Sequence, residues 1–173
     1  MIDNVTINTQ SSIRIEDEKI IRFDPFVIDK DYNDADIIFI THSHYDHLSL
    51  EDIKKVMKED TIFVIPETES DKLSGLNIPE SNIIKVTPNN EYEVLNYKFT
   101  TIPSYNNLKP FHRKNSGWVG YLITINNKKY YIAGDTDITE ENKQISCDVA
   151  FIPIGGTFTM NYKEGAELTN IIK

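Results

Sequence analysis

The sequence predicts an α/β fold, and two observations carry that prediction. An apolar run at residues 37–40, a segment with helical spacing behind Ser49, and a second apolar run at residues 61–65 alternate as strand, helix and strand. A continuous apolar run is typical of a strand that is covered on both faces. The chain has 173 residues, of which 39% are hydrophobic, so we expect a single domain over residues 1–173.

Three short strands precede the first apolar run and predict an antiparallel meander. They cover residues 5–7, 11–15 and 19–23, and Asp24-Pro25 ends the third. The helix behind them has Ser49 as its N-cap and two acids, Glu51 and Asp52, in its first turn, where the helix dipole favours negative charge.

Turn residues organise the second half of the chain. We expect a short helix over residues 67–73, ended near Gly75, and a strand over residues 83–86. Hairpins follow around Asn96 and across Asn126-Asn127, because adjacent asparagines tolerate the positive φ of a tight turn. The last elements are a strand at residues 148–154 and a helix at residues 163–173.

Thr41-His42-Ser43-His44-Tyr45-Asp46-His47 follows the first apolar run and is dense in metal-ligand side chains. His42 and His44, two apart in extended chain, can point at one position, and Asp46 and His47 at a second. Nitrogen and oxygen ligands at this density suit zinc, with manganese or iron as alternatives. A surface histidine cluster without a ligand is the simpler alternative, but three imidazoles and a carboxylate within six positions are hard to explain by packing.

These residues resemble the metallo-β-lactamase-fold superfamily, whose signature is H-x-H-x-D-H after a buried strand. Ala-Gly-Asp-Thr-Asp at residues 133–137 and Phe-Ile-Pro-Ile-Gly-Gly-Thr-Phe-Thr-Met at residues 151–160 are similar to a branch of metal-dependent hydrolases related to lactonase-like members. The resemblance covers nearly the whole chain. It implies an αββα sandwich, with two mixed sheets and helices outside, and a metal centre. It does not define a substrate, because the superfamily hosts many reactions on one scaffold.

Two aspartates acquire roles from the resemblance. Asp135 corresponds to the carboxylate that bridges two metal ions about 3.5–4 Å apart; the simpler alternative is an aspartate in a Gly-Asp turn. Asp24 matches an acidic residue that family members carry near residues 41–47, which we call the metal loop. Asp24 would orient a ligand histidine or the backbone of this loop, and it is also a candidate ligand. Its alternative is an aspartate that starts a turn before proline.

The sequence departs from the family at two places. Where relatives carry another histidine, after the strand that ends near residue 102, this chain has Asn106, a weak neutral oxygen donor. The remaining histidine, His112, is a candidate metal ligand, proton donor, substrate contact or solvated residue. Relatives also continue beyond Lys173 with a strand that ends in a last ligand histidine. The resemblance thus implies a truncated carboxyl-terminal part, a branch without that ligand, or a ligand from a partner. An unpaired sheet edge would favour a homodimer.

Composition excludes several function classes. The net charge of −9 disfavours nucleic-acid binding, which usually needs a concentrated positive face. No apolar run approaches the roughly 18 residues of a membrane span, and residues 1–10 lack a signal-peptide pattern, so we expect a cytoplasmic protein. Cys147 is the only cysteine and is expected to be a buried apolar residue. One basic cluster, Lys109, Arg113 and Lys114, is either a solvated loop or a clamp for a substrate anion.

The sequence therefore predicts a metal-dependent hydrolase acting on a small ester, lactone, amide or phosphodiester through a metal-bound hydroxide. Asp46 would also orient the nucleophile, and His112 would be a proton donor or substrate contact. The alternative is a metal-binding protein of the same fold with little catalysis. One or two zinc ions are expected, on ligands that the motif and the resemblance supply: His42, His44, Asp46, His47 and Asp135.

Overall fold

The computed structural model describes residues 4–172 in two compact units, the first ending at Val86 and the second beginning at Thr87. Met1–Asp3 and Lys173 lie outside the described residues, so the ends of the predicted domain and the last residue of the predicted helix at 163–173 are not covered. The single domain over residues 1–173 stays a prediction.

The first unit contains a mixed sheet. Its strands are β1 (Val5–Thr9), β2 (Ser12–Glu16), β3 (Ile20–Phe23), β4 (Ala35–Phe39), β5 (Met57–Pro66) and β6 (Ile83–Val86). They lie side by side in chain order. The pairs β1-β2 and β2-β3 are antiparallel, whereas β3-β4, β4-β5 and β5-β6 are parallel. The predicted meander and the predicted apolar strand are both confirmed.

One α-helix, α1 (Leu50–Val56), lies between β4 and β5. Ser49 is its N-cap, as predicted, and the Ser49 side chain accepts a hydrogen bond from the Asp52 N–H. Ile53 and Val56 of α1 belong to a buried apolar cluster that includes Ile38 of β4 and Phe63 of β5. The helix therefore stabilises the loop that joins these two strands.

The short helix predicted at residues 67–73 is present, but it is longer than predicted. The segment Glu67–Leu76 is a 3₁₀ helix that ends at Asn77 in the left-handed conformation, with φ of 52°, rather than at Gly75. Threonine and serine side chains in this segment compete for backbone hydrogen bonds, which disfavours a regular α-helix. A second 3₁₀ turn, Glu80–Asn82, leads into β6.

The second unit contains the other mixed sheet. Its strands are β7 (Glu91–Val94), β8 (Tyr97–Pro103), β9 (Val119–Ile125), β10 (Lys128–Ile132) and β11 (Val149–Phe151). Their order is β11-β10-β9-β8-β7, with β10-β11 parallel and the other pairs antiparallel. Both predicted hairpins are confirmed, since Asn96, Asn126 and Asn127 have positive φ at their turns.

The last strand is shorter than the predicted 148–154. Pro153 has no N–H to donate to a neighbouring strand, and β11 ends at Phe151. The chain then leads to α2 (Tyr162–Ile171), which has a capping box formed by Asn161 and Glu164. Short 3₁₀ turns lie at Lys114–Ser116 and Asn142–Gln144.

Two mixed sheets with few helices match the α/β class that the sequence predicts, and that prediction is confirmed. Each unit has its own buried core. In the second unit, Leu168 and Ile172 at the end of the chain belong to a buried cluster with Tyr131 and Ala133. Within residues 4–172, none of the helices has the length and apolarity to cross a bilayer.

Candidate metal centre

The metal loop of the first unit begins where β4 ends. Phe23 of β3 and Phe39 of β4 are paired in parallel, so Asp24 and Thr41 emerge at neighbouring positions on the same edge of the sheet. The Asp24 N–H also donates to the Phe39 carbonyl at 3.0 Å. This arrangement places a carboxylate directly beside the first residues of the loop.

Asp24 is fully buried and accepts three hydrogen bonds. Its Oδ1 accepts from the Thr41 N–H at 2.8 Å, and its Oδ2 accepts from Thr41 Oγ1 and His47 Nδ1, each at 2.7 Å. Burial raises the Asp24 pKa, while the His47 and Thr41 contacts act against that rise. Asp24 thus holds both a histidine and the loop backbone, as the sequence predicts for its orienting role.

These hydrogen bonds determine which ring nitrogens carry protons. Because Thr41 Oγ1 donates its proton to Asp24, it accepts from His42 Nδ1 at 3.0 Å. His47 likewise donates through Nδ1 to Asp24. In its neutral form each buried imidazole therefore has its lone pair on Nε2, the state that a metal ligand requires.

Two donor pairs lie on this loop. His42 Nε2 is 3.1 Å from Nδ1 of the half-buried His44, and His47 Nε2 is 3.8 Å from the Asp46 carboxylate. The loop spacing predicted from the sequence groups the same residues, with His42 and His44 at one position and Asp46 and His47 at another. Each pair presents nitrogen or oxygen atoms that suit a divalent cation.

The second unit contributes a loop after β8 in which Asn106 holds His112. The Asn106 amide nitrogen donates to the Phe158 carbonyl at 2.9 Å, which identifies Oδ1 as the acceptor for His112. Oδ1 accepts from the His112 backbone N–H at 3.2 Å and from His112 Nδ1 at 2.9 Å. His112 is only 1% exposed, so the solvated alternative for this residue is wrong.

His112 Nε2 lies 3.3 Å from the Asp135 carboxylate. When the ring is neutral, donation through Nδ1 leaves the lone pair on Nε2, the atom that faces the Asp135 carboxylate. Two acceptors at this distance fit a cation that both contact. Gly134, with φ of 63°, provides the turn after β10 that presents Asp135.

The neighbouring charges of the second unit are already paired. Lys109 contacts Asp137 at 2.6 Å, and Lys114 contacts Glu141 at 2.7 Å. Asp137 also accepts a hydrogen bond from the Asn107 N–H at 3.0 Å. Two of the three residues of the basic cluster are therefore neutralised, which weakens the clamp interpretation.

Residues 3–172 match the family model described as the beta-lactamase superfamily domain. The chain belongs to this superfamily. Its relatives include metal-dependent hydrolases from Geobacillus thermodenitrificans, with 29% identity over 94% of this chain and 77% of the relative, and from Pyrococcus abyssi, with 27% identity over 92% and 75%. These similarities assign the chain to the metal-dependent hydrolase branch, and that prediction is confirmed.

A solved structure from Parabacteroides distasonis, described as a candidate metal-dependent hydrolase, has the same fold as this beta-lactamase superfamily member. Its TM-score is 0.82 at 27% identity, over 96% of this chain and 76% of that chain. The fold of the superfamily is thus shared by nearly the full length of the chain.

Sequence reasoning missed two supporting residues of this superfamily member. The sequence predicts no role for Thr41, although its hydroxyl lies 3.0 Å from His42 Nδ1. Asn106 was treated as a substitute ligand, although its side chain binds His112 and the Phe158 carbonyl. A threonine directly before a ligand histidine is a signal in the sequence that could have identified Thr41. The Asn106 contact with the Phe158 carbonyl joins residues 52 positions apart, and no local sequence signal indicates it.

Proposed function

We propose that the chain is a metal-dependent hydrolase of small molecules. Its metal ligands are proposed to come from the loop at residues 41–47 and from His112 and Asp135. The family resemblance implies that His42, His44 and Asp135 hold the first ion, and we assign His112 to the same ion as Asp135 because its Nε2 lies 3.3 Å from that carboxylate. The second is assigned to Asp46 and His47, with Asp135 as the bridge that the family resemblance implies. The observation that carries the proposal is that Asn106 holds the His112 ring through Nδ1 and that its Nε2 lies 3.3 Å from the Asp135 carboxylate.

His112 replaces the histidine that relatives carry at the position of Asn106. This assignment is supported by its burial and by the Asn106 contact that fixes the lone pair on Nε2. Asn106 itself is proposed as a positioning residue rather than a ligand, because its amide oxygen already accepts two hydrogen bonds from His112. Asp24 has the same role for His47.

A bound divalent ion supplies Lewis acidity and brings the pKa of a water molecule to about 7, which is the chemistry that hydrolysis of an ester, lactone, amide or phosphodiester needs. The imidazole and carboxylate donors favour zinc, with manganese or iron as alternatives. Asp46, whose side chain is 22% exposed, is proposed to accept a proton from the attacking water and orient it. The cytoplasmic location and the homodimer stay predictions.

The second candidate function is a metal-binding protein with little catalysis. This function is favoured by Asn106, which stands where relatives carry a histidine. A site that uses His112 instead differs from the metal site of those relatives. Elemental analysis of the purified protein, followed by a panel of esters and phosphodiesters with and without chelator, separates the two. Bound metal with chelator-sensitive turnover supports the hydrolase; bound metal without turnover on any substrate supports the alternative.

Variants give this experiment its controls. We expect Asp135→Ala and His44→Ala to lose metal and activity together, because each removes a ligand. Asp137→Asn is the matched control, since Asp137 contacts Lys109 and the Asn107 N–H instead of His112. An Asp135→Ala protein with full activity would contradict the proposal.

A further inference from the structure

Three large apolar side chains are exposed on two segments of the second unit, residues 108–111 before His112 and residue 158. Leu108 is 98% exposed, Phe158 is 53% exposed and Phe111 is 43% exposed; we call these residues the apolar rim. The Phe111 and Phe158 rings pack edge to face, with centroids 4.7 Å apart and an interplanar angle of 78°. Clustered exposed apolar side chains of this kind commonly mark a binding surface.

The loop that carries the rim is held by its polar residues. The Asn106 N–H donates to the His112 carbonyl at 2.7 Å and closes the loop. Lys109 donates to Asp137 at 2.6 Å and to the Thr159 carbonyl at 2.7 Å. Its polar side chains are therefore used for attachment, while Leu108 and Phe111 remain in contact with solvent.

The rim is directly connected to the proposed ligand His112. Phe111 precedes His112 in the chain, and the Phe158 carbonyl accepts a hydrogen bond from Asn106, whose oxygen holds the His112 ring. The Asn106 side chain thus links the backbone of Phe158 to the His112 ring, so the rim and the proposed ligand belong to one hydrogen-bonded part of the second unit.

We propose that the apolar rim binds the alkyl or aryl group of the substrate, so that the enzyme prefers esters or amides with a long apolar acyl chain over acetyl compounds. This inference rests on the proposed hydrolase function. An anionic substrate group is disfavoured at this loop, because Lys109 and Lys114 are paired with Asp137 and Glu141. Arg113, the third member of the predicted basic cluster, is exposed.

The first arm of the test compares p-nitrophenyl octanoate with p-nitrophenyl acetate. The wild type should have the higher kcat/KM on octanoate, and Phe111→Ala or Phe158→Ala should lower the octanoate-to-acetate ratio about tenfold, the usual scale for lost apolar contacts in a specificity pocket. Tyr162→Ala is the control, because Tyr162 is 68% exposed on α2 and is not part of the rim. Thermal melting confirms that each variant is folded.

The second arm measures binding without turnover. Trp118 is the only tryptophan of the chain, and its ring centroid is 5.6 Å from that of His112, so its fluorescence reports on this loop. Titration with octanamide should change the emission of the wild type and of Tyr162→Ala at lower concentrations than that of Phe111→Ala, whereas acetamide should have little effect.

The two arms distinguish the rim from the function on which it rests. Octanamide binding that depends on Phe111, without hydrolysis of any ester, would support the rim and contradict the hydrolase. Ester hydrolysis with the same octanoate-to-acetate ratio in all variants would overturn the rim. A ratio that changes only in Arg113→Ala, or a dimer that dissociates on Phe111→Ala while the ratio is unchanged, would also overturn it, in favour of an anion contact or a contact between copies.

Discussion

Asp24 and Asn106 have the same role in the two units: each accepts a hydrogen bond from the Nδ1 of a histidine. Asp24 holds His47 and, through Thr41, His42, while Asn106 holds His112. A buried imidazole with its Nδ1 proton fixed offers Nε2 to a metal ion without a further rearrangement. Asp24 and Asn106 therefore determine whether these histidines can bind a metal ion through Nε2.

The sequence predicted one of these two residues and not the other. Asp24 follows a strand immediately and matches a family position, so its contact with the metal loop could be inferred. The role of Asn106 depends on the Phe158 carbonyl and on the burial of His112, and neither follows from local composition. The neighbouring lysines and arginine instead indicated a solvated loop.

Replacement of Asp24 by asparagine tests the positioning role. The amide cannot serve as a charged acceptor for three donors, so the His47 tautomer is no longer fixed. We expect the affinity for zinc to fall about 10–100-fold, the usual effect of losing such a partner, as measured by competition with a chromophoric chelator. Asp31→Asn, at an exposed position nearby in sequence, should bind zinc like the wild type. Unchanged affinity in Asp24→Asn would show that Asp24 only supports the fold.

At the scale of elements, the predictions that held depend on short-range patterns. The hairpin at Asn126-Asn127 and the N-cap at Ser49 each follow from a few adjacent residues. The start of β5 was missed because Lys58, Glu59 and Asp60 read as a polar connection, although tertiary pairing of Met57 with Ala35 extends the strand. Elements set by tertiary pairing are those that local sequence predicts least well.

The α1 N-terminus should make stability depend on pH. Burial of the Asp52 carboxyl raises its pKa, but hydrogen bonds from the Ile28 N–H, Ser49, Lys55 and the Val27 N–H outweigh this and hold the pKa below its usual value. Because the folded pKa is the lower one, this stabilisation is complete above the ordinary value of about 4 and is lost as the pH falls through the folded pKa.

Asp52→Asn checks this pH dependence. The variant should lose about 1–3 kcal/mol at pH 7, since buried donors lose a charged acceptor, and its unfolding free energy should fall less between pH 5 and pH 2 than that of the wild type. Urea unfolding at each pH gives the comparison. Glu51→Gln, at an exposed position of the same helix turn, should retain the wild-type dependence. Parallel pH curves for Asp52→Asn and the wild type would contradict the assignment.

β9 contains a position where only glycine fits. A Cβ at Gly120 would lie 2.7 Å from the carbonyl oxygens of Ile132 and Ala133, which are backbone atoms and cannot rotate away. We expect Gly120→Ala to destabilise the protein by about 1–3 kcal/mol, as overpacking generally does, in urea unfolding. Gly155→Ala is the control, because its Cβ would meet only Thr159 Oγ1 at an ordinary 3.5 Å. Equal midpoints for the two variants would be inconsistent with the close approach.

For the whole molecule, the cores are separate from the metal ligands. Each unit has its own apolar cluster, and neither cluster includes a proposed ligand. A structural zinc domain, in contrast, unfolds when the metal is removed. The fold should therefore persist without metal.

Thermal unfolding with excess chelator tests this expectation. We expect a cooperative transition to remain, with a lower midpoint, because removal of the ion cancels only the stabilisation from ligand binding. Circular dichroism before heating should show unchanged secondary structure. Loss of the cooperative transition on chelation would mean that the ion is part of the folding core.

The central claim is that His112 and Asp135 bind the same metal ion, and the zinc content of His112→Ala tests it most directly. Wild type, His112→Ala and the control Arg113→Ala are loaded with zinc, desalted and measured by elemental analysis under identical conditions. Arg113→Ala should match the wild type, since Arg113 is exposed and adjacent to His112 in the chain. We predict that the zinc content of His112→Ala is lower than that of the wild type. The difference should be one ion per chain or a large fraction of one ion. Wild-type zinc content in His112→Ala would contradict the account and leave His112 as a proton donor or substrate contact.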